Sequence, residues 1–204
     1  ATLRRSGNAF GYGPLVEDPE GVLALPAGFS YRIISPVGAE MDDGLLVPGK
    51  HDGMGAFEGP DGLPILVRNH EIEPAHETTG AFGAGGERLD RIDRARLYDA
   101  GARGVPSRGG TTTLVYDTRT GELMRHFLSL AGTERNCAGG ITPRGTWITC
   151  EESVATANET QFARDHGWCF EVPATAEPAL AEPRPIRGMG RFNHEACCTD
   201  PATG

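Results

Sequence analysis

Lysine is nearly missing from this sequence. Lys50 stands alone against eighteen arginines, and the formal net charge is −9. No basic stripe offsets that charge, which excludes the usual footprint of a nucleic-acid binder. The lysine shortage itself reads as a coding bias toward GC-rich DNA and marks no site. Long apolar runs are also missing: no stretch approaches the ~20 residues a membrane helix needs, so no membrane insertion is expected. The five cysteines form neither a C-x-x-C redox pair nor a zinc-ribbon spacing. Five is an odd number, so at least one thiol is free or ligates a metal. No apolar segment follows Arg4-Arg5, so that pair does not read as an export signal. The protein is then cytoplasmic, or the sequence starts after processing.

What the sequence has in excess is glycine and proline. Its 29 Gly and 15 Pro among 204 residues are roughly a fifth of the chain, well above ordinary usage. That composition predicts turns and short strands and argues against a bundle of long helices. Strands are expected over Phe29 to Ser35, Pro64 to Glu71, Gly167 to Val172 and Phe192 to Thr199. Residues 36–62 read as loop. Residues 72–109 read as a polar insertion with a short helix within Glu87 to Ala100. Two β-rich runs flank Asp117-Thr118-Arg119-Thr120-Gly121 and predict a hairpin over Gly110 to Leu130. A second hairpin is expected over Ile141 to Glu152, turning at Pro143-Arg144-Gly145. The final Asp200 to Gly204 repeats the D-x-x-T-G turn without a returning strand, which suggests that a longer protein has been cut there.

A second set recurs: Arg68-Asn69-His70-Glu71, Arg135-Asn136-Cys137-Ala138 and Phe192-Asn193-His194-Glu195. Short strands, repeated hairpin turns and few helices predict an all-β fold. A β-propeller is favoured, six-bladed if complete, with this chain (residues 1–204) covering about the first three to four blades. A β-sandwich is the alternative. The inner strands of propeller blades line one axis, so residues distant in sequence meet there. On that logic Glu71, Cys137 and Glu195 converge. One of Glu151 and Glu152 joins them, because successive strand residues face opposite ways.

Plainer readings apply to several of these residues. His70 and His194 suit turn-capping or backbone bonding, and Cys150 and Cys169 suit small apolar core positions. Cys137 stands apart, placed by the sequence in a loop of small residues, Asn-Cys-Ala-Gly-Gly, where a thiol is usable. Clustered glutamates repel one another until protonation, arginine or a metal neutralises them. Carboxylate oxygens suit Ca²⁺, and a thiolate suits a softer or more Lewis-acidic transition metal.

The same segments carry a family resemblance. GYGPL, LPAGFSYRIIS, MDDG and VPGKHDGM, followed by LVRNHE, GGTTTLVYD, NCAGGITPRGTWITCEE and GRFNHEA, resemble in order the N-terminal half of the PhoX-type alkaline phosphatases. The resemblance implies a six-bladed propeller exported by the twin-arginine route, hence periplasmic or secreted. It implies hydrolysis of small phosphomonoesters with a cluster of ferric iron and calcium. Carried over by residue, Cys137 is an iron ligand, and Glu152 and Glu195 occupy metal-ligand positions. Glu71 follows by the repeat, and Asp52 of HDGM is a weaker candidate. The later carboxylates and a phosphate-binding arginine of the family lie outside this sequence, so the chain alone is expected to be inactive, and the complete protein a monomer. Two other functions compete: a non-catalytic, calcium-stabilised propeller that binds a partner, and a calcium-dependent propeller lactonase.

Overall fold

The computed structural model describes residues 11–76 and 79–203. They divide into two compact units at Ile34/Ser35. In the first, β1 (Leu15–Val16) pairs antiparallel with β2 (Leu25–Pro26). The carboxylate of Asp18 accepts bonds from the backbone N–H groups of Glu20, Val22 and Leu23 and from the Tyr31 hydroxyl, fixing the turn between them.

The second unit holds two antiparallel sheets. One orders β3 (His51–Phe57), β4 (Ile65–His70), β5 (Gly109–Asp117) and β6 (Glu122–Thr133) as neighbours in sequence. The other orders β7 (Asn136–Ile141), β8 (Thr146–Glu151) and β9 (Cys169–Pro173). The architecture is all-β, and single 3₁₀ turns are the only helical segments among the described residues. The β5–β6 hairpin turns where expected: Asp117 accepts from the N–H of Arg119 through its carboxylate and from that of Gly121 through its carbonyl.

Four expectations are corrected. Phe29 to Ser35 is not a strand. Residues 36–62 are not all loop, because β3 runs through them. The short helix of residues 87–100 is replaced by two 3₁₀ turns, Leu89–Arg91 and Arg94–Arg96, which still bury Leu89 and Leu97. Phe192 to Thr199 is not a ladder strand. It is an extended segment held by separate backbone bonds, from Ala138 N–H to Glu195 O (3.1 Å) and from His194 N–H to Glu151 O (2.9 Å).

One core cluster joins the two sheets: Ile65, Val67, Val115 and Leu130 from the first meet Trp147, Phe170 and Val172 from the second. Burial of such side chains stabilises by about 1.5–3 kcal/mol each. Asn69 staples the seam. It accepts from the Trp147 indole N–H (2.9 Å) and donates to the carbonyls of Cys137 (3.1 Å) and Ala138 (2.8 Å). The sheets approach closely along β3. A Cβ on Gly53 would lie 2.7 Å from Ala138 Cα, and one on Gly55 would lie 2.7 Å from the Trp147 ring. Only glycine fits there, and the close approach sets the neighbouring Asp52 beside β7.

Candidate metal centre

Cys137 lies in strand β7, not in the loop the sequence suggested, and it is buried. Glu152 follows the end of β8, and Glu195 lies on the extended segment docked along β7. The Cys137 Sγ and one carboxylate oxygen from each glutamate all lie within 4.8 Å of one another. Three backbone carbonyl oxygens also face the sulfur: Glu195 at 3.1 Å, His194 at 3.3 Å and Cys150 at 3.7 Å. Burial, with the charges of Glu195 and Glu152 behind it, pushes the thiol pKa up to about 11. A sulfur ringed by oxygen acceptors is a poor place for a bare thiolate and a good one for a cation. The donor set therefore fits a metal ion with affinity for both sulfur and oxygen.

Glu71 is not in that trio. It stands across Arg135, whose Nη2 donates to Glu152 Oε2 (2.8 Å) and Glu71 Oε1 (3.2 Å), with Glu73 at 4.0 Å from its Nε. Asp52 extends the row. Its pKa is raised by burial and by the adjoining Glu71 carboxyl. Arginine is thus the neutraliser present in this acidic row. Its backbone is in the left-handed region (φ 45°), a conformation that costs a non-glycine residue about 1–3 kcal/mol and clusters at functional sites.

Glu151 turns the other way, as strand alternation requires. It is fully buried, accepting at one oxygen from Glu134 N–H (2.8 Å) and His166 Nδ1 (2.7 Å), and at the other from the N–H groups of Gly167 and Trp168. His166 Nε2 lies 3.0 Å from Asp99, so the imidazole sits between two buried carboxylates. Burial opposes a charge on His166, but the bonds to Asp99 and Glu151 outweigh it and raise the pKa to about 9. Burial raises Glu134 to about 8, and its Oε2 has no hydrogen-bond partner. The sequence reading did not find this network. Its members are far apart in the chain and match no motif, and the only available hint was that one of Glu151 and Glu152 had to face inward.

His70 behaves as the plainer reading expected, bonded to Gly49 O and Thr112 Oγ1. His194 lies 3.2 Å from Gly190 O.

These groups give the metal-free chain a defined pH profile. Glu134 and His166 bind protons more tightly folded than unfolded. Their contribution is whole below their ordinary values of 4.5 and 6.5, and it is lost as pH rises through about 8 and about 9. His70 and His126 are the reverse: burial lowers both, His126 to about 3, so their contribution is present above 6.5 and lost as pH falls. Stability is expected to peak near pH ~6.5 and to fall on both sides. A melting temperature that climbs steadily from pH 5 to pH 9 would contradict this.

A cavity of about 640 Å³ opens beside the cluster, lined by Glu73, Glu134, Arg135, Glu152, Phe162 and Asn193 among others. It opens the row of charges around Arg135 to solvent. Comparison with curated proteins and with solved structures found no match. The family profile described as alkaline phosphatase PhoX matches residues 10–204. With nearly the whole length matched, the chain belongs to the PhoX alkaline phosphatase family.

Proposed function

We propose that this chain supplies part of the active site of a metal-dependent phosphomonoester hydrolase. Cys137, Glu152, Glu195 and Glu71 would hold an iron–calcium cluster within a β-propeller that other blades complete. The observation that carries the reading is the meeting of one thiol and two carboxylates from three separate segments, in a chain of an alkaline phosphatase family. The two antiparallel sheets of the second unit, with the ends of β7 and β8 bringing Cys137 and Glu152 to one cluster, support the propeller. Small phosphomonoesters are the substrates in this reading, the protein acts outside the cytoplasm, and the complete protein is a monomer.

Metal ions held there would draw charge from the phosphoryl oxygens and orient the ester. The chain's own groups set the conditions. The Cys137 thiol would give up its proton to serve as a ligand to a metal with affinity for sulfur, which an all-calcium site would not need. Glu152 and Glu71, both paired with Arg135 in the metal-free chain, would exchange it for the cations, and Arg135 would then be free to meet an anion in the adjoining cavity. Glu134, carrying a proton at neutral pH and bordering the same cavity, is placed to hold or release that proton near a leaving oxygen.

Elemental analysis of the purified chain after loading with iron and calcium is the direct test. Near-stoichiometric iron, with calcium, is the expected result. Calcium alone would overturn the iron reading and favour the calcium-stabilised binding module. With the remaining blades supplied, hydrolysis of p-nitrophenyl phosphate but not of lactones is expected, and the reverse preference would favour the lactonase.

A further inference from the structure

Cys150, near the end of β8, and Cys169, at the start of β9, are partners in the antiparallel ladder. Both are fully buried, and their sulfurs lie 3.5 Å apart. The next pair along the ladder is Glu151 with Trp168, where the Glu151 N–H donates to the Trp168 carbonyl (3.0 Å). Antiparallel pairs alternate between bonded and non-bonded, so Cys150 and Cys169 occupy a non-hydrogen-bonded position. The Cys169 carbonyl accordingly accepts from Ile186 N–H (2.9 Å) and not from β8. Such positions bring opposed Cα atoms to about 4.5 Å with their side chains close, inside the range a disulfide spans.

We propose that Cys150 and Cys169 form a cross-strand disulfide when the chain folds in the presence of a disulfide oxidant. Each thiol loses its proton, one S–S bond forms, and the two electrons reduce the oxidant's own disulfide to two thiols. Cys197 is the competitor, since its thiol also contacts Cys150. It rides on the extended segment, however, where its N–H meets Gly139 O at 3.5 Å, while Cys169 is fixed in the ladder. The bond would close the loop that carries Glu152 and His166 between its ends. This inference does not depend on the phosphatase reading.

The test is covalent mapping. The reduced, unfolded chain is refolded in a glutathione redox buffer, alkylated without reduction and digested with trypsin. Cleavage after Arg135, Arg144, Arg164, Arg187 and Arg191 puts Cys137, Cys150, Cys169 and the Cys197-Cys198 pair on four different peptides. The expected result is a mass loss of about 2 Da, with residues 145–164 linked to residues 165–187. Linkage of 145–164 to 192–204, a scrambled mixture, or five alkylated thiols would overturn the proposal. The double variant Cys197→Ser with Cys198→Ser is expected to keep the link, and Cys169→Ser to lose it. The wild-type map decides the matter even if a variant fails to fold.

Discussion

Replacing His166 with alanine is expected to destabilise the second unit by about 3–5 kcal/mol, because it leaves buried carboxylates without their partner. Asp99 and Glu151 are both fully buried, and the imidazole of His166 lies between them, 3.0 Å from one and 2.7 Å from the other. The loss should appear as a lower urea midpoint with little change in slope, the mark of reduced stability in an otherwise intact fold. His166→Gln retains hydrogen-bonding capacity without the charge and should fall between wild type and alanine. A loss no greater than that of an average surface substitution, within about 0.5 kcal/mol, would mean that the triad does not hold the fold.

Cys137→Ala is expected to weaken iron binding by more than ~100-fold. Removing even an outer partner of a metal ligand costs 10–100-fold, and this change removes a ligand itself. Proton release supplies a second readout. The thiol is held protonated by a pKa near 11, so iron uptake by the wild type must displace that proton. Apparent affinity should therefore rise about tenfold per pH unit more steeply for wild type than for the variant, in which no thiol titrates. The thiolate-to-iron charge-transfer colour should vanish together with the affinity. If Cys137→Ala binds iron as tightly as wild type and keeps the colour, the sulfur is a bystander in the core.

The parts of this fold that the sequence made legible are those whose signals are local. The β5–β6 hairpin follows from a D-x-x-T-G turn between β-branched runs, and both ends of the β7–β8 turn follow from Pro143-Arg144-Gly145. Strand β3 was hidden because Gly53 and Gly55 have low strand propensity. Their reason for being there is the surface of Ala138 and Trp147, which belongs to another sheet. The segment around His194 has a strand-like composition but bonds one residue at a time to β7 and to Glu151, so its state is decided by what it docks on.

The candidate site divides in the same way. The recurring Asn-centred motifs indicated that Cys137 and Glu195 meet, and the family resemblance added Glu152; in the structure the donor atoms of all three lie within 4.8 Å of one another. The same motifs placed Glu71 with them, while the structure sets Arg135 between Glu71 and Glu152. No local pattern announces that arginine's left-handed backbone or its reach. The motif asparagines themselves are joinery: Asn69 ties the two sheets, and Asn136 bonds Thr133 and Thr149.

One consequence follows from the two adjacent glutamates at the end of β8. A single peptide unit separates the residue that anchors the interior from the residue offered to the cluster. Because neighbouring side chains in a strand project oppositely, gaining or losing one residue between Thr146 and Cys150 would swap their assignments. The carboxylate anchored in the interior would be delivered to the cluster, and the cluster's own would be driven against Asp99. Length changes in β8 are therefore compatible with this design only in even steps, and the strand acts as a ruler with parity.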